Sequence, residues 1–251
     1  MMGYIDSLID ARRAGHVSDH IHLGLFAGPS LTLDAAQVAM ARHHMAALDL
    51  RDGQSVVDVG CGFGGTLHMV DKDFLGKLTG VNIDPRQIAL AREGAWRNPV
   101  DWLTCDASAF SEGRLAWADR ILSLEAMFHF PDPAGFFAAC ARALRPGGRL
   151  VVSTILLDRS LSARAVAQGF APWPVPEMTL DDLTGMATHA GFQVQDIQNL
   201  APLTLPGFDW MCPPPPPDIT DHPVIELRRL FTSGQASYPM LILQAGGKTQ
   251  K

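Results

Sequence analysis

Between Val56 and Gly65 the chain reads Val-Val-Asp-Val-Gly-Cys-Gly-Phe-Gly-Gly, an apolar strand that runs straight into four glycines and then into a helical pattern. Few folds can use such a segment. Val56 to Val59 read as a buried strand, and Gly60, Gly62 and Gly64 let the backbone turn sharply and approach a ligand where any Cβ would intrude. A second apolar run, Leu78 to Ile83, ends at Asp84, 20 residues after Gly64, where an acid can grip two ribose hydroxyls. Asp106 stands in the same way after a third run.

The remainder of the chain alternates in period. Strands are expected at 55–59, 78–83, 100–104, 119–124 and 149–155, with helices at 64–72, 85–97 and 134–144 between them, which is the pattern of a doubly wound, mostly parallel α/β sheet. Residues 4–15 predict a short amphipathic helix that could pack on or over the site mouth. Asp34 and Gln37 stand at capping-box spacing before a helix that continues to about Leu50. Thr179 and Asp182 repeat that spacing before a helix ended by Gly191, and Phe192 to Ile197 follow as a strand. Pro213 to Pro217 predict a stiff polyproline II stretch inside an unusual segment, 201–237.

Composition narrows the class. With 251 residues, 47% of them hydrophobic, the chain can bury a full core as one α/β domain with appendages. A net charge of −6 leaves no basic stripe for nucleic-acid phosphates, so small-molecule chemistry is favoured over nucleic-acid binding. Cys61, Cys105, Cys140 and Cys212 form no C-x-x-C pair, which points to reduced thiols, a cytoplasmic setting and no zinc site. No run of 18 apolar residues occurs, and Asp6 and Asp10 interrupt the basic-then-apolar order of a secretory signal; neither membrane nor export is expected.

The order of features is a glycine loop, an acid after strand two, an acid after strand three, and Pro146-Gly147-Gly148 before the apolar run Leu150 to Ile155. In this order the chain resembles the class I S-adenosylmethionine-dependent methyltransferases, in particular the small-molecule, sugar and tocopherol-type branch. A dinucleotide fingerprint would place its third glycine at Gly65, which is also present, so spacing alone leaves NAD open; Asp58 inside the motif, and no second nucleotide-binding half, favour the methyltransferase. The resemblance implies a seven-stranded Rossmann-like sheet over residues 51–251 with an insertion at about 201–237, an N-terminal helical cap over 1–50, and a last strand, Tyr238 to Gln244, inserted antiparallel. It implies S-adenosylmethionine as cofactor and S-adenosylhomocysteine as product. Gly60 and Gly62 would lie under the methionine moiety with Gly64 completing the loop, and Asp58 would hold the ammonium group. Asp84 would bind the ribose, Asp106 and Ala107 the adenine, and Leu124 would complete the cofactor wall.

The segment from Ser123 to Asp132 decides the chemistry. His129 stands where an acceptor would approach the methyl group, and a histidine titrates near neutrality, so it can take a proton from an attacking hydroxyl. Small-molecule O-methyltransferases often carry the Glu-x-x-x-His pattern that Glu125 and His129 match. Cyclopropane-forming relatives place glutamate directly before the histidine, where this chain has Phe128. His20-Ile-His22-Leu-Gly24 resembles the His-x-Gly segment that walls the site in tocopherol-type enzymes, with His22 assisting the base or touching substrate. Two histidines at that spacing, without a nearby cluster of carboxylates or cysteines, do not make a metal site.

Glu125 and the aromatics Phe26, Phe128, Trp173, Phe208 and Trp210 lie on segments that flank the expected mouth, so the acceptor is expected to be flat or apolar. The reading is transfer of a methyl group to a hydroxyl of an aromatic, heterocyclic or glycosylated small molecule, by an enzyme that could pair as a homodimer. N- or C-methylation, and a non-catalytic S-adenosylmethionine-binding module, are the alternatives.

Overall fold

The computed structural model describes residues 4–28, 31–160, 177–211 and 223–246. Helices α1 (Tyr4–Arg13) and α2 (Leu33–Leu48) precede β1 (Ser55–Val59), α3 (Gly65–Asp73), β2 (Lys77–Asn82), α4 (Pro85–Arg92) and β3 (Val100–Thr104). Then come β4 (Ala118–Leu124), a 3₁₀ turn at Met127–His129, α5 (Pro133–Ala143), β5 (Leu144–Ser153) and β6 (Leu156–Leu157). The C-terminal part holds α6 (Leu180–His189), β7 (Phe192–Asn199), the short α7 (Ala201–Thr204) and α8 (Gly207–Met211), α9 (Pro223–Ser233), β8 (Ala236–Ser237) and β9 (Pro239–Ala245).

The seven-stranded sheet has the order β3-β2-β1-β4-β5-β9-β7. Every neighbouring pair is parallel except those made by β9, which runs antiparallel to both β5 and β7. This is the expected doubly wound, mostly parallel α/β architecture, with the last strand inserted as anticipated. The strand order reverses between β1 and β4, and at such a switch point a crevice opens beyond the carboxyl ends of the strands.

Alternation along each strand feeds two cores. Val57, Val59, Ile121 and Val152 turn to the face covered by α5 and α6, while Leu122, Leu124 and Val151 turn to the face covered by α2 and α9. Both faces are sealed, as the near-continuous apolar runs of parallel strands require. Among the described residues no helix is long and apolar enough to cross a membrane.

Local differences from the sequence expectations have local causes. The N-cap of α2 is Thr32, not Asp34: the Thr32 side chain accepts from the Ala35 N–H at 3.3 Å. Gln37 does not close a capping box. It is buried, and its Nε2 donates to the His22 carbonyl at 2.7 Å while its Oε1 accepts from the Ser18 hydroxyl at 3.2 Å. Helix α4 stops at Arg92, short of the expected 97, and β5 begins already at Leu144, running through Pro146-Gly147-Gly148 with a register irregularity against β4. The segment 201–237 contributes α7, α8, α9 and β8; Pro213 to Pro217 and Trp173 lie outside the described residues.

Because Gln37 ties residues 18–22 to α2, Gln37→Leu leaves the buried His22 carbonyl without its donor and should lower the unfolding free energy by about 1–3 kcal/mol in urea titration. Asp34→Ala, at an exposed first-turn position, should stay within about 0.5 kcal/mol. Equal, small effects of the two substitutions would contradict the anchoring role.

Candidate active site

A cleft of about 1080 Å³, counted out to its open mouth, lies at the carboxyl ends of β1, β2 and β4. Its floor is the glycine loop. Gly60 (φ +82°), Gly62 (φ +54°) and Gly64 (φ +84°) hold the loop in the left-handed region that other residues rarely adopt. The N–H groups of Gly60 and Cys61 both donate to the Val81 carbonyl, at 2.8 and 3.0 Å, so β2 fixes where the loop sits. A Cβ on Gly60 would stand 2.2 Å from that of Ala126.

Of the residues expected to hold a cofactor, Asp58, Gly60, Gly62, Asp84, Asp106, Ala107 and Leu124 line this cleft. Gly64 does not. It is the N-cap of α3 and faces away, with Ala91, Trp96 and Trp102 all within 3.5 Å of where its Cβ would be; Gly65 lines the cleft in its place.

The acids fall into two electrostatic kinds. Asp58 is 3% exposed and has no side-chain hydrogen bond among the described residues; burial pushes its carboxyl up to about 7. Asp84 caps α4 through Oδ1, which accepts from the Arg86 N–H at 2.8 Å, while Arg86 Nη2 stands 2.7 Å from Oδ2. Those bonds from Arg86 hold it below the usual carboxylate range. The same guanidinium reaches Asp6 on α1 at 2.7 Å, and Ile5 of α1 lines the cleft. Asp106 accepts from the N–H and hydroxyl of Ser108 with Oδ1, at 2.8 and 2.6 Å, which leaves Oδ2 for the cleft.

The opposite wall follows β4. Glu125 has φ +50°, a conformation that costs a non-glycine residue about 1–3 kcal/mol and persists only where its surroundings enforce it. Enforcement comes from three bonds: the Glu125 N–H donates to the Ser153 carbonyl at 3.1 Å, and Oε2 accepts from the Leu23 N–H at 2.9 Å and the Tyr238 hydroxyl at 2.6 Å. Burial pushes the Glu125 carboxyl up to about 8. The 3₁₀ turn then sets Phe128 and His129 on the cleft with ring centroids 3.9 Å apart.

His22 also lines the cleft, but both of its ring nitrogens are engaged, Nδ1 with the Leu23 carbonyl at 2.9 Å and Nε2 with His20 Nδ1 at 3.2 Å. Burial lowers it to about 3. It therefore has no nitrogen left for a substrate, which corrects the expectation of a direct catalytic role.

Two expected substrate contacts stand away from the cleft, Phe208 in the core and Phe26 half-buried. Phe208 is 1% exposed and packs on Phe231 at 5.4 Å, and Phe26, whose N–H donates to Leu203, lies beside Gly207 away from the cleft lining. Trp210 sits in α8, its side chain outside what the structure describes, as is all of Trp173. Sequence reasoning missed Tyr238 and the Asn82–Gln87 pair, bonded at 2.8 Å, whose Asn82 accepts from the Asp84 N–H, and it gave no individual role to His20 and Ile21 within the wall segment it had marked. Gln87 carried a signal, since it stands three residues after Asp84 in the first turn of α4. Among the described residues no group of three or more His, Cys, Asp or Glu could hold a metal.

Residues 57–152 match the family model described as "Methyltransferase domain". The whole-chain relatives agree: "Methyltransferase GfsG" of Streptomyces halstedii is 27% identical over 227 residues, covering 84% of this chain and 81% of that one. The chain is a class I S-adenosylmethionine-dependent methyltransferase. The "27-O-demethylrifamycin SV methyltransferase" of Amycolatopsis mediterranei is 27% identical to this methyltransferase, with 76% of the chain and 72% of the relative covered. Its fold is similar to that of a geranyl diphosphate methyltransferase solved with geranyl diphosphate and sinefungin, at a TM-score of 0.79, 20% identity and 93% coverage of each chain.

The residues of the methyltransferase cleft fit its cofactor. A bare backbone floor, a buried carboxylate at Asp58 with no side-chain hydrogen bond among the described residues and two further acids along one wall suit a ligand that carries an ammonium, a ribose diol and an adenine amino group.

Raised carboxyls make stability depend on pH in a definite direction. Glu125 moves from 4.5 to about 8 and Asp58 from 3.8 to about 7 on folding, so between those values each holds a proton in the folded chain that it has lost in the unfolded one. The stability they contribute to the cofactor-free enzyme falls as pH rises from about 5 to 8; His22 and His44, which burial lowers to about 3 and 4, oppose that fall below about pH 6.5, so it shows most plainly between 6.5 and 8. Glu125→Gln removes its share and should give a shallower fall in urea titrations at pH 5, 6.5 and 8; an unchanged slope would contradict the burial of a neutral Glu125.

Proposed function

We propose that this enzyme methylates a hydroxyl of a small aromatic, heterocyclic or glycosylated acceptor, with His129 taking the proton. One observation carries the reading: His129 lines the same cleft as the glycine loop, Asp58, Asp84 and Asp106. The similarity to the 27-O-demethylrifamycin SV methyltransferase, whose name specifies an oxygen position, supports it.

When bound, the cofactor would supply an electrophilic methyl on a sulfonium, for transfer to the acceptor oxygen with the neutral thioether as leaving group. The chain's own residues do the rest. Asp58, with the backbone of Gly60 and Gly62, holds the methionine end; Asp84 takes the ribose hydroxyls; Asp106, the Ala107 N–H and Leu124 hold the adenine. Glu125 and Phe128 shape the acceptor side. Such holding converts a bimolecular reaction into an effectively unimolecular one, which supplies most of the acceleration. His129 accepts the hydroxyl proton as the oxygen loses it, and Phe128 at 3.9 Å packs on its ring and limits its rotation.

Methyl transfer to a panel of phenols and glycosylated phenols tests the assignment. His129→Ala should lower kcat/KM by about 10²- to 10⁴-fold while the affinity for S-adenosylhomocysteine stays within about twofold. Near-normal turnover in the variant would argue for an amine or carbon nucleophile that needs no base.

A further inference from the structure

We propose that His20 reads the acceptor: its Nε2, kept bare of hydrogen by a two-imidazole relay, receives a hydrogen bond from a hydroxyl or amine of the small molecule and so orients it in the cleft. This inference rests on the reading of the cleft as a methyl-transfer site and adds a specificity residue to it.

The polarity of the relay follows from which atoms can only accept. The Leu23 carbonyl lies 2.9 Å from His22 Nδ1, so that nitrogen carries the hydrogen. His22 is buried and neutral at pH 7, hence its Nε2 offers only a lone pair. His20 Nδ1 stands 3.2 Å from that lone pair, the two rings meeting edge-on at 70°, and a bond there requires the hydrogen on His20 Nδ1. Burial also disfavours a second proton on His20, against the opposing charges of Asp19 and Asp34. A neutral His20 with its hydrogen on Nδ1 leaves a lone pair on Nε2, and that atom has no protein partner among the described residues.

The ring is held where it can be used. His20 lines the cleft together with Ile21 and His22. Its segment is pinned at both ends: the Ser18 hydroxyl bonds Gln37, the His22 carbonyl takes the Gln37 amide, and the Leu23 N–H is bound by Glu125. His20 Nδ1 lies 2.9 Å from where a Cβ on Gly65 would stand, so the glycine at 65 makes room for the ring. An immobile lone pair repels carboxylates and gains nothing from ethers or ketones. It selects acceptors that carry an O–H or N–H donor.

Two-bond ¹H–¹⁵N spectra of histidine-labelled protein at pH 7 test the relay directly, with His20→Gln for assignment. Wild type loaded with S-adenosylhomocysteine should show both His20 and His22 protonated on Nδ1 alone. Phenol should then shift the His20 Nε2 resonance further than any other imidazole nitrogen, and anisole, which has no donor, should leave it in place. His22→Phe should admit the Nε2–H form of His20; if that variant does not fold, the wild-type spectra decide alone.

A hydrogen on His20 Nε2 in wild type, or a resonance indifferent to phenol, overturns the proposal. So does a shift produced by S-adenosylhomocysteine alone, which would make His20 a cofactor contact. None of these outcomes depends on His129, so failure of the base assignment and failure of this inference are separable.

Discussion

The cleft depends on one short stretch of backbone held in the left-handed region. Between β1 and α3 the chain passes through positive φ at Gly60, Gly62 and Gly64, and two N–H groups of the loop converge on the single carbonyl of Val81. That arrangement leaves the floor without side chains at the point where the sheet changes winding direction. Any L side chain at Gly60 would be strained by its φ and would collide with Ala126, which leads into the turn carrying His129. The floor and the wall that carries His129 are therefore fixed against each other by contact.

Around this floor the protein sorts its polar groups by solvation. Asp84 stays ionised in the grip of Arg86, which also reaches Asp6 and so ties α1 to the Asp84 side of the cleft. Asp58, and Glu125 despite two hydrogen bonds to its carboxyl, hold protons more tightly than free carboxylates do because burial disfavours their charge. For Asp58 this is a state that a bound cation would reverse, since an ammonium beside it favours the ionised form. Glu125 instead spends its acceptor oxygen on Leu23 and Tyr238, which fixes the segment 20–24 over the glycine loop.

Much of this was legible in the amino-acid order, for a physical reason. Strand runs, glycine punctuation and an acid at each strand end are local signals, so the sheet, the glycine loop and the positions of Asp84 and Asp106 could be read from them. What was missed is non-local. The Gln37–His22 bond spans 15 residues and the Leu23–Glu125 bond 102, and no period or motif marks either. Aromatic residues are ambiguous in a different way: Phe208 and Phe128 both avoid water, and only packing tells that one fills the core while the other borders the cleft. At the glycine pair, spacing pointed to Gly64, whereas the direction of the turn gives the cleft side to Gly65.

The central claim is that the acids along this cleft bind the cofactor. Calorimetric titration of S-adenosylhomocysteine into the wild-type protein and into Asp84→Ala tests it most directly. The account predicts saturable binding to wild type at one site and a loss of about 1.5–3 kcal/mol, roughly 10- to 150-fold in Kd, on removing the Asp84 carboxylate. Folded wild-type protein that takes up no S-adenosylhomocysteine, or a variant that binds it as tightly as wild type, would contradict it.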